Sequence, residues 1–480
     1  MDLPMLGRRL LGNSLSILVT RLTQSIATFV LSASIARILG PYELGQYLLA
    51  FGYYFIFMSL ASQGFKVLFT RELSRNPDET PTYLVSGTLL QLFFCFVGYA
   101  MLAGLIFILP YKPDTSMVCY VMGLAIFPFA ISNITESVFQ AKEKMYLITI
   151  STVPIYVLRL VVMIWAMQSG YGVVDLAAIT VMSEVLILLI EWGLILRMVT
   201  PKWKISWEFI RTALKSVRTF IAIEGVAVIN TRMQLVILSL LGGEIVVGLY
   251  GSIVQLMQPF DILSSSLTVG VFPSMTKTVA LGLRKQRQLS ERIIEMLCFV
   301  ALPITTGVFF FGRDLLDLVY QKSDFTTAAI PLCIVSVGLI ASSFSRPLSY
   351  LLVANHFEKI NMREVLTTTF TASVMGFFLV SRFGLMGAAI SVLLMRLSSV
   401  AQYVYAVCAN LFSVRFWRII RRPLLVSTLM VFVLWLLKNS GSNIWVVLAV
   451  SISIYALLLG SLVVLNLGGP RVAYAKLLQR

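Results

Sequence analysis

Apolar residues run along this chain in fourteen stretches separated by short polar segments, and each stretch is about as long as a helix needs to cross a bilayer. They cover residues 14–36, 44–65, 83–109, 117–140, 147–167, 174–196, 219–241, 245–270, 293–311, 328–350, 361–381, 385–411, 420–437 and 443–466. Crossing about 30 Å of hydrocarbon at about 1.5 Å per residue takes about 20 apolar residues. A helix also satisfies its own backbone N–H and C=O groups, which hydrocarbon does not. The pattern predicts an all-α integral membrane protein of about 14 spanning helices. Of the 480 residues, 58% are hydrophobic, which leaves little chain for a folded domain outside the membrane.

The basic residues sharpen this picture because they alternate from loop to loop. An even number of crossings puts both termini on one side. The loops of that side hold 27 of the 38 Lys and Arg, among them Arg8, Arg9, Lys142, Lys144, Arg284 and Lys285. The opposite loops hold Arg37, Lys112, Arg313, Lys322, Arg382 and Lys438. The positive-inside rule makes the terminal side cytoplasmic. The formal net charge of +16 therefore reports topology and contact with anionic membrane lipids. Nucleic-acid binding would need basic residues on one folded surface with base-reading or stacking groups, and no such partner is expected. The apolar run after Arg8 and Arg9 is too long and too polar for a cleaved signal sequence, so it is read as the first helix.

Cys95, Cys119, Cys298, Cys333 and Cys408 fall in apolar segments without Cys-x-x-Cys spacing, which argues against a disulfide framework or a zinc site. His356 is the only histidine, so metal-centred and histidine-based acid–base chemistry are poorly supplied. No catalytic residue, metal or cofactor is expected.

The largest segment outside the membrane, residues 199–218, mixes Lys202, Lys204, Arg211, Lys215 and Arg218 with Trp203, Trp207 and Phe209. It reads as an amphipathic cytoplasmic linker, with six helices before it and eight after. The two halves share an echo. Leu39-Gly40 is followed by Glu43 and Gly45-Gln46-Tyr47, while Leu241-Gly242 is followed by Glu244 and Gly248-Leu249-Tyr250. Both copies sit at the outer turn between the first two helices of their half. A repeat of like orientation, with substrate held between the copies, is a common transporter design. The expected organisation is an N-terminal lobe of helices 1–6 over 1–198 and the linker over 199–218. A C-terminal lobe of helices 7–12 follows over 219–412, then helices 13 and 14 with a cytoplasmic tail over 413–480.

Charges inside the membrane change the picture most. Each costs about 2.5–3.5 kcal/mol at a helix centre even on a lenient insertion scale, so such side chains must face one another or a wet cavity. Arg159 and Glu184 lie at matching depths in helices 5 and 6 and are expected to form a buried ion pair. Arg346, Glu191 and Glu295 lie near cytoplasmic ends and are expected to snorkel to the interface. The remainder form stripes. Asn13 and Gln24 share a face of helix 1 with Arg21 at its edge, and Glu224 and Gln234 share one of helix 7 with Arg232 beside Glu224. Gln255, Gln258 and Asp261 fall within one arc of helix 8, and Asn133, Glu136 and Gln140 mark helix 4.

Such stripes suit a polar lumen. A guanidinium stays charged and engages two phosphate oxygens at once, while amides and hydroxyls suit sugars. The candidate anion-binding residues are Arg21, Arg232 and Arg396, and the candidate polar lining is Asn13, Gln24, Gln234, Gln255 and Gln258. Glu224 and Asp261 are candidates for ion coupling, by carrying protons or binding a cation.

The stretch Ala36-Arg37-Ile38-Leu39-Gly40-Pro41-Tyr42-Glu43-Leu44-Gly45-Gln46-Tyr47, with Gly64 and Thr70-Arg71-Glu72-Leu73, resembles the opening of the polysaccharide biosynthesis flippases. These form the O-antigen and exopolysaccharide branch of the multidrug/oligosaccharidyl-lipid/polysaccharide (MOP) exporter superfamily. Phe220 to Glu224, Gly248-Leu249-Tyr250 and Phe272-Pro273-Ser274-Met275 with Lys277 resemble that family's middle, and Asp314-Leu315-Leu316 with Phe325 its ninth-helix outer loop. The resemblance covers nearly the whole chain. It implies a two-lobed flippase in a bacterial plasma membrane that moves polyprenyl-diphosphate-linked oligosaccharides to the outer leaflet by alternating access. It also implies a diphosphate held by the helix 1 arginine, here Arg21, and by cavity cations generally. Arg232 matches that role by location. Expected partners are the lipid-linked oligosaccharide, membrane lipids and the polysaccharide polymerase and export machinery, with the chain itself a monomer.

Three rivals follow from the same residues. A cation-coupled drug antiporter of the superfamily would want acids to dominate the lumen, whereas here arginines match them closely. A lipid II flippase shares the count of fourteen helices. A membrane polysaccharide polymerase would be expected to carry a sizeable outer loop, and the longest here, 312–327, is too short for a domain.

Overall fold

The computed structural model describes residues 3–201, 203, 205–439 and 453, and their regular structure is entirely helical. In chain order the helices are α1 (Leu3–Ile38), α2 (Pro41–Met58), α3 (Gly64–Arg75), α4 (Thr80–Ile108), α5 (Pro113–Gly123), α6 (Ile126–Ala141) and α7 (Tyr146–Gln168). They continue with α8 (Val173–Leu196), α9 (Trp207–Val279), α10 (Leu283–Tyr320), α11 (Ala329–Ala354), α12 (Glu358–Asn410) and α13 (Phe416–Asn439). Among the described residues, 11 helical stretches are long and apolar enough to cross a membrane. The fourteenth stretch expected from sequence, 443–466, lies outside the described residues except for 453.

The longest helices exceed one crossing. Glu358–Asn410 spans 53 residues, about 80 Å if straight. It breaks at Gly384, with φ 52° and ψ −125°, a conformation that side-chain-bearing residues resist. Beyond the break the arms run back along one another. Thr367 Oγ1 donates to Gln402 Oε1 at 2.6 Å, and Tyr403 OH donates to Glu364 Oε2 at 3.0 Å. Helix α9, 73 residues long, is likewise two helices joined at a kink, at Gly243 with φ 74°. These two glycines stand in the gaps expected between helices 11 and 12 and between helices 7 and 8. A turn of π-helix, Ser59–Gln63, joins α2 to α3. Its loosened backbone is met by side chains: Gln91 Nε2 donates to the carbonyl of Ala61, and Asn133 Nδ2 to Ser62 Oγ.

The chain gathers into two compact units, Met1–Ser252 and Ile253–Arg480. In the first, Phe65, Phe69, Leu84, Val138, Phe139 and Ile195 form a buried cluster joined by Phe209 from the start of α9. Phe209 stacks on Tyr83 with ring centroids 4.0 Å apart. Ser206 caps this helix by accepting from the Phe209 N–H at 3.2 Å, and its own N–H donates to Ser86 Oγ at 2.9 Å. The amphipathic segment thus buries Phe209 and Ala213 and leaves Trp203 and Trp207 exposed, as a helix lying at an interface does.

In the second unit, Ile294, Cys298, Phe344, Leu348, Tyr403 and Val407 form the cluster between α10, α11 and α12. Helix α13 joins α10 through Phe311, Met430 and Leu434. The outward faces are apolar as well: Phe93, Phe107 and Trp165 in the first unit and Phe370, Phe378 and Trp435 in the second are more than half exposed. Faces this apolar suit hydrocarbon as their solvent.

The hairpin break yields a prediction. Gly384→Val forces a β-branched residue to φ 52° and should destabilise the second unit by about 1–3 kcal/mol. Gly307→Ala, where an added Cβ meets nothing within 4 Å, should be neutral. Fluorescence-detected thermal unfolding of the detergent-solubilised variants checks both.

Candidate functional site

The deepest charges of the first unit pair internally. Arg159 on α7 donates to Glu184 of α8 at 3.0 Å and to Ser183 Oγ at 3.3 Å, and its guanidinium lies over the Tyr156 ring at 5.0 Å. This is the ion pair expected from matched depths. Lys66 of α3 pairs with Glu136 of α6, and Thr70 Oγ1 reaches Gln140 one turn away at 3.4 Å. The helix 4 stripe is therefore consumed by contacts with α3, through Glu136 and Gln140, and with the π-helical turn, through Asn133.

Glu191 departs from its expectation of snorkelling. It is fully buried on α8 and accepts from Ser132 Oγ, from Thr135 Oγ1 at 2.7 Å and from Ser151 Oγ at 3.0 Å. Closeness to a helix end permits snorkelling only on an outward face, and this face of α8 is covered by α6 and α7. Three hydroxyls take the place of water.

The arginines singled out from sequence differ in their surroundings. Arg21 is exposed on α1, with no ion pair or hydrogen bond to a described residue. Arg232 is half-buried on the first arm of α9, with its guanidinium 4.6 Å from the centre of the Phe55 ring of α2. A cation over an aromatic face is held by about 0.5–2 kcal/mol. Arg232 Nε is buried without a hydrogen-bond partner. Gln24 is exposed and Gln234 half-buried. The side chains of Asn13 and Glu224 lie outside the described set.

The two echoed sequences meet. The first turns of α2 pack on the second arm of α9 with backbone against backbone: a Cβ added at Gly45 would collide with the carbonyl of Glu244, and one at Gly248 with that of Pro41. Polar groups rim this contact. Thr115 Oγ1 donates to Glu244 Oε1 at 2.8 Å, and Gln46 Nε2 to Asp114 Oδ2 at 2.9 Å. Tyr111 OH hydrogen-bonds with both Tyr53 OH, at 2.8 Å, and Ser239 Oγ, at 2.6 Å. Burial raises the Tyr111 phenol's pKa, which keeps it neutral and able to donate.

In the second unit, Asp261 of α9 accepts from Arg346 Nη2 at 2.7 Å and lies 3.7 Å from Arg396 Nη2. Arg346, expected to snorkel, is instead held inward by this carboxylate and by the Asp261 carbonyl, to which its Nη1 donates at 2.8 Å. Gln255 and Gln258 are half-buried on the same arm. Glu295 lies 3.6 Å from Arg422 of α13. Among the described residues no group of three or more His, Cys, Asp or Glu is placed to hold a metal.

Sequence reasoning missed the pairing of Lys66, the inward pairing of Arg346 with Asp261 and the hydroxyl cage of Glu191. A rule that every intramembrane acid needs a donor would have flagged the need, although not the partner. A cavity of about 400 Å³ between α7 and α8 is lined by Leu158, Val162, Trp165, Ile179 and Met182, with Arg159 at its wall. Its surface is almost wholly apolar, so it suits hydrocarbon, and Arg21, Arg232 and Arg396 are not among its lining residues.

The model of a family described as polysaccharide biosynthesis protein matches residues 34–329. Among solved structures the fold is similar to that of the lipid II flippase MurJ in an inward closed conformation. The TM-score is 0.69 at 14% identity, over 95% of this chain and 99% of that one. It is similar to an inward-facing MATE family multidrug resistance transporter of the MOP superfamily, with TM-score 0.66 at 14% identity over 80% and 94%. A MOP superfamily transporter from Pyrococcus furiosus, described by a binding pocket of reverse polarity, gives TM-score 0.58 at 12% identity over 84% and 95%. No curated protein matches by sequence. The fold is shared with these transporters.

The Arg159–Glu184 pair can be tested directly. Arg159→Ala alone strands a buried carboxylate and should cost about 3–5 kcal/mol. Adding Glu184→Ala should recover most of that loss, as read by thermal unfolding of the two variants side by side.

Proposed function

The chain belongs to the polysaccharide biosynthesis protein family, and from that premise we propose that it is a transporter. It flips a polyprenyl-diphosphate-linked oligosaccharide from the cytoplasmic to the outer leaflet by alternating access. The observation that carries this reading is the pair Arg21 and Arg232: guanidinium groups on membrane helices, with no ion pair to any described acid. A charge that hydrocarbon penalises by several kcal/mol is kept there without a counterion among the described residues, which suits a visiting anion. The headgroup crosses along these polar residues while the polyprenyl tail stays in the bilayer. That arrangement spares the tail from water and the diphosphate and sugars from hydrocarbon.

In this reading the chain crosses a bacterial plasma membrane fourteen times with both termini cytoplasmic, and works as a monomer. The lobes are 1–198 and 219–412, the linker is 199–218, and 413–480 holds helices 13 and 14 with the tail. Asn13, Gln24, Gln234, Gln255 and Gln258 meet sugars, and Arg21, Arg232 and Arg396 meet the diphosphate. Glu224 is the group through which ion coupling would act; Asp261, held by Arg346, is engaged as a counterion instead. The polysaccharide polymerase and export machinery receive the product. The glycine contact of α2 with α9 is the outer closure, and it opens once per cycle. A lipid II flippase is the second reading, supported by the likeness to MurJ over 95% of the chain. It shares the diphosphate and differs in the sugar.

Arg21→Ala and Arg232→Ala, made singly, should abolish polymer export while folded protein remains in the membrane. Normal polymer in both strains refutes the diphosphate role. Leu48→Cys combined with Gly251→Cys, in a background free of native cysteines, places thiols where Leu48 abuts Gly251. Oxidation should stop export and a reductant should restore it; export unaffected by a formed disulfide contradicts the opening of this contact.

A further inference from the structure

Asp261 is shared by two guanidinium groups on unequal terms. Arg346 Nη2 donates to Oδ1 at 2.7 Å and Nη1 to the Asp261 carbonyl at 2.8 Å. Arg396 Nη2 stands 3.7 Å from Oδ2, within ion-pair reach but too far for a hydrogen bond. Arg396 is nevertheless firmly placed. Its Nη1 donates to Ser342 Oγ at 3.0 Å. Its stem lies against Gly338, where a Cβ would stand 2.7 Å from Arg396 Cδ. Ser342 and Arg346 are one turn apart on α11, so a single helix face orients both forks.

Two cations against one acid leave one positive charge over, since no second described acid lies within ion-pair distance of Arg346 or Arg396. The cluster is not sealed either. Side-chain exposure is 31% for Arg346 and Asp261 and 19% for Arg396. A triad built only for stability would be expected to balance its charge and close over itself.

We propose that Arg346, Asp261 and Arg396 form an anion-exchange site, in which the diphosphate of the lipid-linked substrate displaces the Asp261 carboxylate from Arg396 and shares Arg346. This rests on the reading of the substrate as a polyprenyl diphosphate. A carboxylate brings one charge and two oxygens, whereas a diphosphate brings more of both and satisfies two planar forks at once. When the site is empty, Asp261 keeps both guanidinium groups oriented and compensated. When substrate is bound, the displaced acid competes for the same donors and so promotes release. Asp261 is then a resident stand-in for phosphate.

The test uses full-length protein in lipid nanodiscs, with farnesyl diphosphate as probe and inorganic pyrophosphate as comparison, binding being read by microscale thermophoresis. Arg396→Gln leaves Asp261 and Arg346 as a balanced pair, so the fold is preserved, and it should weaken farnesyl diphosphate binding at least about tenfold. Asp261→Asn removes the competitor and should tighten binding by about tenfold while slowing export in cells. Wild-type affinity in Arg396→Gln, or no tightening in a folded Asp261→Asn protein, overturns the exchange site and leaves the flippase reading standing. Failure of folded wild-type protein to bind farnesyl diphosphate at all sinks the substrate reading, and the exchange site with it. Equal affinity for pyrophosphate and farnesyl diphosphate would assign the site to a free anion rather than a lipid headgroup, which also overturns the proposal.

Discussion

Hydrocarbon solvates neither a charge nor a bare peptide group, and the polar architecture of this chain follows from that single constraint. Glu191 is fully buried and surrounded by three hydroxyls. Arg159 and Glu184 hold one another at 3.0 Å. The carbonyl of Ala61, in the π-helical turn, receives a glutamine from α4. Each of these arrangements supplies from protein what water would supply elsewhere. Against that background the guanidinium groups of Arg21 and Arg232, which no described acid meets, and the two arginines around the single carboxylate of Asp261 stand out.

The same constraint explains the glycines. Helices in a membrane gain nothing from excluding water from one another, so they associate by close packing, and small residues let the backbones approach. At Gly45 and Gly248 the approach is so close that a Cβ on either would strike the opposite carbonyl. The contact is rimmed by Thr115, Glu244, Gln46 and Asp114. Such a contact is tight by shape and polar at its rim.

Much of the fold was legible in the sequence because it is one-dimensional. Stretch lengths gave the helices, and the gaps at 241–245 and 381–385 hold Gly243 and Gly384, where α9 and α12 break. Depth along a helix is also one-dimensional, which is why Arg159 and Glu184 could be matched from their distances to the helix ends. Rotation and register between helices are not. Arg346 and Glu191 lie near helix ends, and an outward turn would have let them snorkel. Their faces are set by α9 and by α6 with α7, across 85 residues for Asp261 and 59 for Ser132. The echo of Gly45 and Gly248 was visible as a repeat, but its meaning as a contact of one copy on the other appears only in three dimensions.

Leaflet-resolved mass spectrometry of polyprenyl-diphosphate oligosaccharides, in cells depleted of this protein, tests the central claim most directly. Flipping predicts that complete repeat units accumulate on the cytoplasmic face, and their masses would identify the sugars. Lipid-linked pools that stay unchanged in amount and in leaflet would contradict it.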